Sequence, residues 1–270
     1  METSFEKVRH SIRKAVWDLQ EEFELIVPGD KVMVCLSGGK DSYTMLDMIL
    51  HMQLVMKHSF EIIAVNLDQK QPDYPQHILP EYLTALKVPF QVIERDTDSI
   101  VQEITPEGAT LCIICSPLRR GILYDAATKM GVTKIALGHH REDVLETFFL
   151  NLFFSGQLET MPAKYRTDDN KHTVIRPLAY CKEKDIIEYA QHQKFPIIPC
   201  NLCGSQENMQ RKNIKKMMIE WEQQQPDRKE VMYNALKNIH PSHMYDHRLF
   251  DFKKVGSSEK TGSTKDYMVL

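Results

Sequence analysis

A glycine-rich hexapeptide at residues 37–42 has the residue types that hold the phosphates of a nucleotide. It follows the apolar run 32–36 and precedes residues 43–56, which contain no helix breaker, so it is predicted to join a buried strand to a helix. A helix amino terminus presents unpaired N–H groups and a partial positive charge, and both suit an anion. The alternative is a capped glycine turn without a ligand. The candidate phosphate-binding residues are Ser37, Gly38, Gly39, Lys40, Asp41 and Ser42.

A second polar segment begins at Gly138-His139-His140 and continues to Asp143, at the end of another predicted strand and the start of a helix. Asp143 is a candidate for positioning Mg²⁺ or the reacting base. A carboxylate in the first turn of a helix is also favoured by the helix dipole, so a purely structural role stays open. The two histidines are equally compatible with structural roles.

Four of the six cysteines form two Cys-x-x-Cys pairs, Cys112 with Cys115 and Cys200 with Cys203. Each pair is predicted to lie in a loop just before a helix, where thiolates are stabilised. Residues 116–199 separate the pairs, whereas local zinc ribbons separate theirs by about 15–20 residues. The spacing therefore favours a four-thiolate zinc or iron–sulfur site built at the mouth of a sheet. Buried, inert thiols are the alternative for the pairs, and that interpretation is preferred for Cys35 and Cys181.

Strand-like and helix-like segments alternate through most of the chain, which predicts an α/β fold with a parallel, doubly wound sheet. Ligands bind beyond the carboxyl ends of the strands in such sheets. We expect an N-terminal helix in residues 1–29, the nucleotide-binding α/β domain in 30–195 and a small cysteine-bearing helical region in 196–254. Residues 255–270 are expected to be disordered. Within the α/β domain we expect a helix from Pro117 to Met130, a surface loop over 156–173 and an edge strand over 174–177.

Composition limits the function. The hydrophobic fraction of 42% is that of a globular protein, and no run approaches the roughly 18 apolar residues of a membrane span. With no apolar leader at the N-terminus, a cytoplasmic protein without membrane contact is expected. The net charge of −3 means that any nucleic acid would have to meet a local basic patch. Candidates are Arg211, Lys212, Lys215 and Lys216 beside the apolar stripe of the helix over 206–222, with Arg119, Arg120, Lys164 and Arg166.

The hexapeptide is similar to the PP-loop of ATP pyrophosphatases and departs from a Walker A loop because Asp41 follows the lysine. This similarity implies an adenine nucleotide α-hydrolase-like, Rossmann-like fold and cleavage of ATP between its α- and β-phosphates. Together with the two cysteine pairs and the Gly138 segment, in this order, it makes residues 5–245 resemble the tRNA 2-thiocytidine synthetases (TtcA).

That resemblance implies a tRNA-thiolating enzyme that adenylates the C2 oxygen of cytidine 32 in the anticodon loop and replaces it with sulfur. It implies ATP, Mg²⁺ and a [4Fe–4S] cluster as cofactors. The implied cluster ligands are Cys112, Cys115 and Cys203, with Cys200 as the alternative third ligand. Lys40, Asp41 and Asp143 would act in catalysis, while Gly138 and His139 would contact the nucleotide. The implied partners are tRNA and a cysteine desulfurase or other sulfur donor, and a homodimer stays open.

Three other functions remain as hypotheses. A persulfide- or zinc-dependent tRNA thiolase would share the ATP loop and the cysteines. A lysidine-type ligase would share the loop but needs no metal cluster, so the cysteine pairs count against it. A non-catalytic, zinc-stabilised RNA-binding module is disfavoured by the intact hexapeptide.

Overall fold

The computed structural model describes residues 4–56, 59–105, 111–167, 169–198 and 207–256 of the 270-residue chain. The α-helices are α1 (Ser4–Phe23), α2 (Lys40–Val55), α3 (Ile78–Ala85), α4 (Thr97–Ile104), α5 (Leu111–Lys129), α6 (Arg141–Leu150), α7 (Glu183–Gln193), α8 (Glu207–Gln224) and α9 (Arg228–Ala235). The strands are β1 (Lys31–Leu36), β2 (Glu61–Asp68), β3 (Phe90–Glu94), β4 (Lys134–Ala136), β5 (Lys164–Arg166) and β6 (Thr173–Ile175).

The six strands form one sheet in the order β3-β2-β1-β4-β6-β5. All neighbouring pairs are parallel except β5 and β6, which are antiparallel. The predicted α/β sheet is therefore confirmed, with one antiparallel strand added at its edge. From β1 the chain first winds towards β3 and later returns to β4 on the other side of β1. The point between β1 and β4 is thus the topological switch point, where such sheets bind ligands.

The register of β1 and β4 explains why the two polar segments meet. Val34 lies opposite Ala136, so the loops that follow these parallel strands leave the sheet side by side. The strands themselves are held in place by burial, since Met33, Ile135 and Val174 are at most 1% exposed and pack with Ala127 of α5. The carboxyl edge of the sheet is therefore a rigid platform for both loops.

Three expectations about local structure are wrong. Helix α5 begins at Leu111, so Pro117 and the first cysteine pair lie inside a helix, not before one. Proline lacks a donor and disfavours the helical conformation in the residue before it, but tertiary packing can override that preference. The expected loop over 156–173 contains β5, and the expected edge strand is the internal strand β6. Helix α4 was not anticipated.

The chain divides into two compact units, Met1–Lys229 and Glu230–Leu270. The first unit contains the whole sheet and helices α1 to α8. In the second, Arg248 forms an ion pair with Asp246 at 2.7 Å, and the rings of Phe250 and Phe252 meet edge to face. In the described part of the chain, no helix has the length and apolar character needed to cross a membrane. The expected disordered tail lies almost wholly outside the described residues, which end at 256.

Candidate active site

The 37–42 loop forms the amino terminus of α2. Gly39 is the N-cap residue, and the first intrahelical hydrogen bond runs from the Tyr43 N–H to the Gly39 carbonyl at 3.2 Å. The N–H groups of Lys40, Asp41 and Ser42 come before that bond, in the turn where helical donors lack carbonyl partners. The Ser42 hydroxyl donates to the Gly39 carbonyl at 2.8 Å, which tightens the turn. The loop can therefore direct three backbone donors and the helix dipole at an anion.

Gly38 is required by the close approach of a second segment. Its φ of +81° lies in the left-handed region, and a Cβ there would come within 2.8 Å of the Ile198 Cδ1. The Ile198 N–H also donates to the Gly38 carbonyl at 2.9 Å. The segment that bears Ile198 leaves α7 at Lys194 and is held where Tyr43 stacks on Phe195, with ring centroids 5.3 Å apart. The loop is thus held both by β1, from which it emerges, and by the segment that bears Ile198.

Gly138 brings the second polar segment onto the same helix terminus. A Cβ on Gly138 would meet the Asp41 carbonyl carbon at 3.2 Å and the Ser42 nitrogen at 3.3 Å. These neighbours are backbone atoms, which cannot move aside as a flexible side chain can. The absence of a side chain at 138 therefore lets the β4 loop lie against the first turn of α2.

The His140 imidazole connects four carboxylates at this edge. Its Nε2 lies 3.5 Å from Asp143, 3.8 Å from Asp41 and 3.9 Å from Glu183, while its Nδ1 lies 3.5 Å from Glu142. Burial opposes the charged form of His140, but these carboxylates outweigh it and raise the pKa of the ring. Burial acts against ionisation of Glu142 too, yet contacts with His140 and Arg141 lower its pKa to about 2. An imidazolium paired with carboxylates is the favoured state of the cluster.

Basic side chains from α2 and α8 neutralise the same carboxylates. Lys40 lies 2.9 Å from Asp41, and Lys215 lies 2.8 Å from Glu183. Arg211 reaches both Asp143 and the buried Glu146 at 3.6 Å. Burial and the charge of Asp143 nevertheless raise the pKa of Glu146 to about 7. Arg211 and Lys215, which are candidates for meeting tRNA phosphates, therefore also contact the carboxylate cluster.

The apolar stripe predicted for α8 explains this orientation. Ile214 is 4% exposed and Met218 is 1% exposed, and Trp221 meets Phe149 of α6 edge to face. Because α8 packs on α6 through this stripe, the flanking cations are directed towards the carboxylates of α6. Two other expected tRNA-binding side chains, Lys164 and Arg166, donate to backbone carbonyls of their own chain.

A cavity of about 490 Å³ opens at the same edge of the sheet, between the ends of β2 and β4 and helix α5. Its lining includes Cys115 and His139. The Arg176 Nε donates to the Nδ1 of His139 at 3.3 Å, and burial together with Arg176 lowers the pKa of His139 to about 4. His139 is therefore neutral at physiological pH, with its proton on Nε2. The Cys115 thiol donates to the Gln69 Oε1 at 3.3 Å.

The predicted site residues fall into two neighbouring groups. The loop 37–42, Gly138 and Asp143 lie around the start of α2, whereas His139 and Cys115 line the cavity. Position 112 lies three residues before Cys115 on α5, so the two positions share one side of the helix. Cys200 and Cys203 lie outside the described residues.

The two remaining cysteines behave as expected for buried thiols. Cys35 packs beside the core cluster, and burial raises its pKa to about 12. Cys181 is 1% exposed, and burial raises its pKa as well. Burial therefore keeps both side chains in the neutral thiol form.

Sequence reasoning missed Glu183, Arg176 and Ile198, which complete these two groups. Glu183 is the first residue of α7, and Arg176 directly follows β6. None belongs to a recognisable motif. The position just after a strand was the only available signal for Arg176, because the carboxyl ends of strands bear ligand sites.

Known proteins resemble this chain over most of its length. A family model described as a PP-loop domain matches residues 7–220. A tRNA-cytidine(32) 2-sulfurtransferase from Cytophaga hutchinsonii is 68% identical over 264 residues, which cover 98% of this chain and 92% of that protein. The enzyme of the same name from Aeromonas hydrophila is 56% identical over 252 residues, covering 93% of this chain and 83% of the relative.

A solved structure shares the fold at low sequence identity. It is the U34-tRNA thiolase NcsA from Methanococcus maripaludis with its [4Fe-4S] cluster, which superposes with a TM-score of 0.65 at 18% identity. The match covers 87% of this chain and 81% of that one. From the family model and the extent of its identity with curated relatives, the chain belongs to the PP-loop family and, within it, to the tRNA-cytidine(32) 2-sulfurtransferases.

Proposed function

We propose that this chain replaces the C2 oxygen of cytidine 32 in tRNA with sulfur, in two steps. In the first, the C2 oxygen attacks the α-phosphorus of ATP, forming an O-adenylated cytidine and releasing pyrophosphate. In the second, a sulfide nucleophile adds to C2 and expels AMP, which keeps the former base oxygen. The observation that supports this most strongly is the convergence of the PP-loop, the carboxylate cluster and Cys115 at one edge of the sheet.

The α2 terminus is suited to the first step. The N–H groups of Lys40, Asp41 and Ser42 and the helix dipole would bind phosphate oxygens, and Lys40 would neutralise the charge that develops on pyrophosphate. Since Lys40 lies 2.9 Å from Asp41, it would exchange this partner for phosphate when ATP binds. Gly138 keeps this approach open by lying against the turn without a side chain.

Asp41 and Asp143 are the carboxylates nearest to the loop and would be the candidate ligands of Mg²⁺. Asp41 and Asp143 both lie within 3.8 Å of the His140 Nε2, and hard oxygen ligands are those that Mg²⁺ prefers. Bound Mg²⁺ would neutralise the phosphates of ATP. His140 would hold the two carboxylates in position through its contacts with both. Arg211 would partly neutralise the charge of Asp143.

The cysteines would supply the second step. The Cys115 sulfur lies on the wall of the cavity, and position 112 is one helical turn away, which suits two ligands of one cluster. We assign Cys112, Cys115 and Cys203 as the ligands of a [4Fe–4S] cluster, with Cys200 as the alternative to Cys203. If these cysteines hold such a cluster, it would supply the sulfide that replaces the C2 oxygen. A cysteine desulfurase is the expected class of sulfur donor.

Isotope labelling tests the order of these steps. The protein is purified without oxygen and incubated with ATP, Mg²⁺, sulfide and a tRNA that has ¹⁸O at C2 of cytidine 32. The AMP formed should contain one ¹⁸O atom, because the base oxygen leaves attached to phosphorus. Unlabelled AMP together with thiolated tRNA would refute adenylation of that oxygen.

Metal analysis tests the cluster assignment with matched controls. Cys112→Ser and Cys115→Ser should lose most of the iron and acid-labile sulfide, while Cys35→Ser and Cys181→Ser should retain both. The controls alter thiols whose pKa is raised by burial, so they test whether any cysteine change would give the same loss. Full iron retention in Cys115→Ser would reject that residue as a ligand.

A further inference from the structure

The 490 Å³ cavity beside the phosphate loop contains an unusual excess of positive charge. Among the residues that the structure describes, its lining includes Arg119, Arg120 and Arg176 but only one carboxylate, that of Asp98. In the described part of the chain, none of these three arginines has a carboxylate within ion-pair distance. A cavity of this size falls within the range of small-ligand pockets, which is about 300–1,000 Å³. The charge favours an anionic ligand about as large as a nucleotide.

Arg176 is a buried residue of the cavity wall and not a surface cation. It is only 7% exposed, and its Nη1 donates to the Pro162 carbonyl at 2.6 Å. Its guanidinium also lies over the ring of Tyr165 at 5.2 Å, and the Tyr165 hydroxyl contacts that of Tyr124 at 3.2 Å. Burying an arginine without a carboxylate is costly, which indicates that the position serves a ligand or its orientation.

The uncharged part of the lining suits a pyrimidine base. Tyr124 and Tyr165 contribute aromatic rings, and Arg176 covers one face of Tyr165. Leu123, Ile135 and Leu137 contribute apolar contact. Because Arg176 donates to the Nδ1 of His139, the Nε2 of that neutral ring is a donor, and cytosine has acceptors at O2 and N3. Base stacking on aromatic side chains, combined with hydrogen bonds to the base edge, is how enzymes hold an unstacked nucleotide.

We propose that this cavity receives the target nucleotide of the tRNA, a cytidine turned out of its stack, with its base against Tyr124 and Tyr165 and its phosphate facing Arg119 and Arg120. The inference rests on the proposed function, since it assigns the nucleotide on which that function acts. The phosphates of ATP have their own site at the α2 terminus, so the arginines of the cavity serve a second anion. Arg176 is a positioning residue, because it acts by fixing the tautomer of His139.

Photocrosslinking tests the position of the base without requiring turnover. A synthetic anticodon stem-loop RNA with 5-iodocytidine at position 32 is bound to the full-length protein and irradiated, and the modified peptides are identified by mass spectrometry. We expect crosslinks to Tyr124 or Tyr165, with the same yield when a non-hydrolysable ATP analogue is present. Crosslinks only to residues outside the cavity, no crosslink at all, or loss of the cavity crosslink on addition of the analogue would overturn the proposal.

A matched pair of charge variants tests the phosphate contact. Arg120→Gln and Lys129→Gln each remove one exposed cation from α5, but only Arg120 lines the cavity. Arg120→Gln should weaken binding of the stem-loop RNA by on the order of tenfold, the effect of losing one charged hydrogen bond. Lys129→Gln should weaken it by less than about twofold. Equal effects of the two changes would contradict a specific phosphate site.

The outcomes also separate this inference from the proposed function. A crosslink in the cavity without any thiolated product would keep the nucleotide pocket and reject the reaction. Thiolated product together with crosslinks elsewhere would keep the reaction and reject the pocket.

Discussion

Gly38→Ala should disrupt the phosphate loop more than an ordinary glycine substitution, and the structure gives the reason. Alanine in the left-handed region costs about 1–2 kcal/mol. At Gly38 the new methyl group would also come within 2.8 Å of the Ile198 side chain and 3.0 Å of its Cβ. Overpacking of this kind adds about 1–3 kcal/mol. We therefore expect Gly38→Ala to lower the free energy of unfolding by roughly 2–5 kcal/mol.

Gly131→Ala is the matched control for this prediction. Gly131 also has a positive φ, +63°, but a Cβ there would have no neighbour within 4 Å. Gly131→Ala should lower the free energy of unfolding only through the left-handed backbone conformation, by about 1–2 kcal/mol. Both substitutions restrict the unfolded chain equally. The difference between their losses of unfolding free energy therefore measures the collision with Ile198. Urea unfolding monitored by circular dichroism measures both values.

A double-mutant cycle makes the test stricter. Ile198→Ala alone removes a buried side chain and should destabilise by about 2–5 kcal/mol. Combined with Gly38→Ala it also removes most of the colliding atoms, so the double variant should be more stable than the sum predicts, by about 1–3 kcal/mol. Additive effects, or a Gly38→Ala cost equal to that of Gly131→Ala, would refute the clamp of Ile198 on the loop.

Three further predictions concern the same edge of the sheet. Gly138→Ala should weaken ATP binding severalfold in calorimetry, because its Cβ would press on Asp41 and Ser42 backbone atoms at 3.2–3.3 Å; unchanged affinity would contradict that contact. Burial raises the folded-state pKa of Glu146 from 4.5 to about 7, so its protonation stabilises the fold below pH 4.5 and this contribution is lost as the pH rises through 7. Glu146→Gln should therefore gain stability relative to the native chain, by about 1–3 kcal/mol, between about pH 5 and 8, and a pH-independent difference in urea unfolding would be inconsistent with this shift. Burial and Arg176 hold the pKa of His139 near 4, so its imidazole should stay neutral from about pH 5 to 8 in an NMR titration, whereas Arg176→Gln should raise that pKa; protonation of His139 near pH 6.5 in the native chain would argue against the Arg176 contact.

The phosphate loop could be predicted from the sequence because its determinants are local. An apolar strand, two glycines and a helix without breakers follow one another within 32–56, and the structure has this order. The apolar stripe of α8 was also local, and Ile214 and Met218 are buried as its spacing predicted. Neighbouring positions on one element can be inferred from helical and strand periodicity alone.

The partners of these residues could not be predicted, because they come from distant parts of the chain. Ile198 lies 160 positions after Gly38, and Arg176 and His139 meet only because β4 pairs with β6. The charges of Arg211 and Lys215 can be read from the sequence and suggest a basic surface patch. Their pairing with carboxylates of α6 and α7 cannot be read from it, because those helices are distant in sequence. The predicted start of α5 at Pro117 was wrong for another reason. Proline is favoured in the first turn of a helix, but it can also lie further inside one.

The most direct test of the account measures both products of the reaction together. Anaerobically purified protein is incubated with tRNA, ATP, Mg²⁺ and sulfide, and 2-thiocytidine, AMP and pyrophosphate are quantified by mass spectrometry and chromatography. We predict one AMP and one pyrophosphate for each 2-thiocytidine formed. Thiolation accompanied by ADP and phosphate, or formation of AMP without 2-thiocytidine, would contradict the claim that the loop activates the oxygen that sulfur replaces.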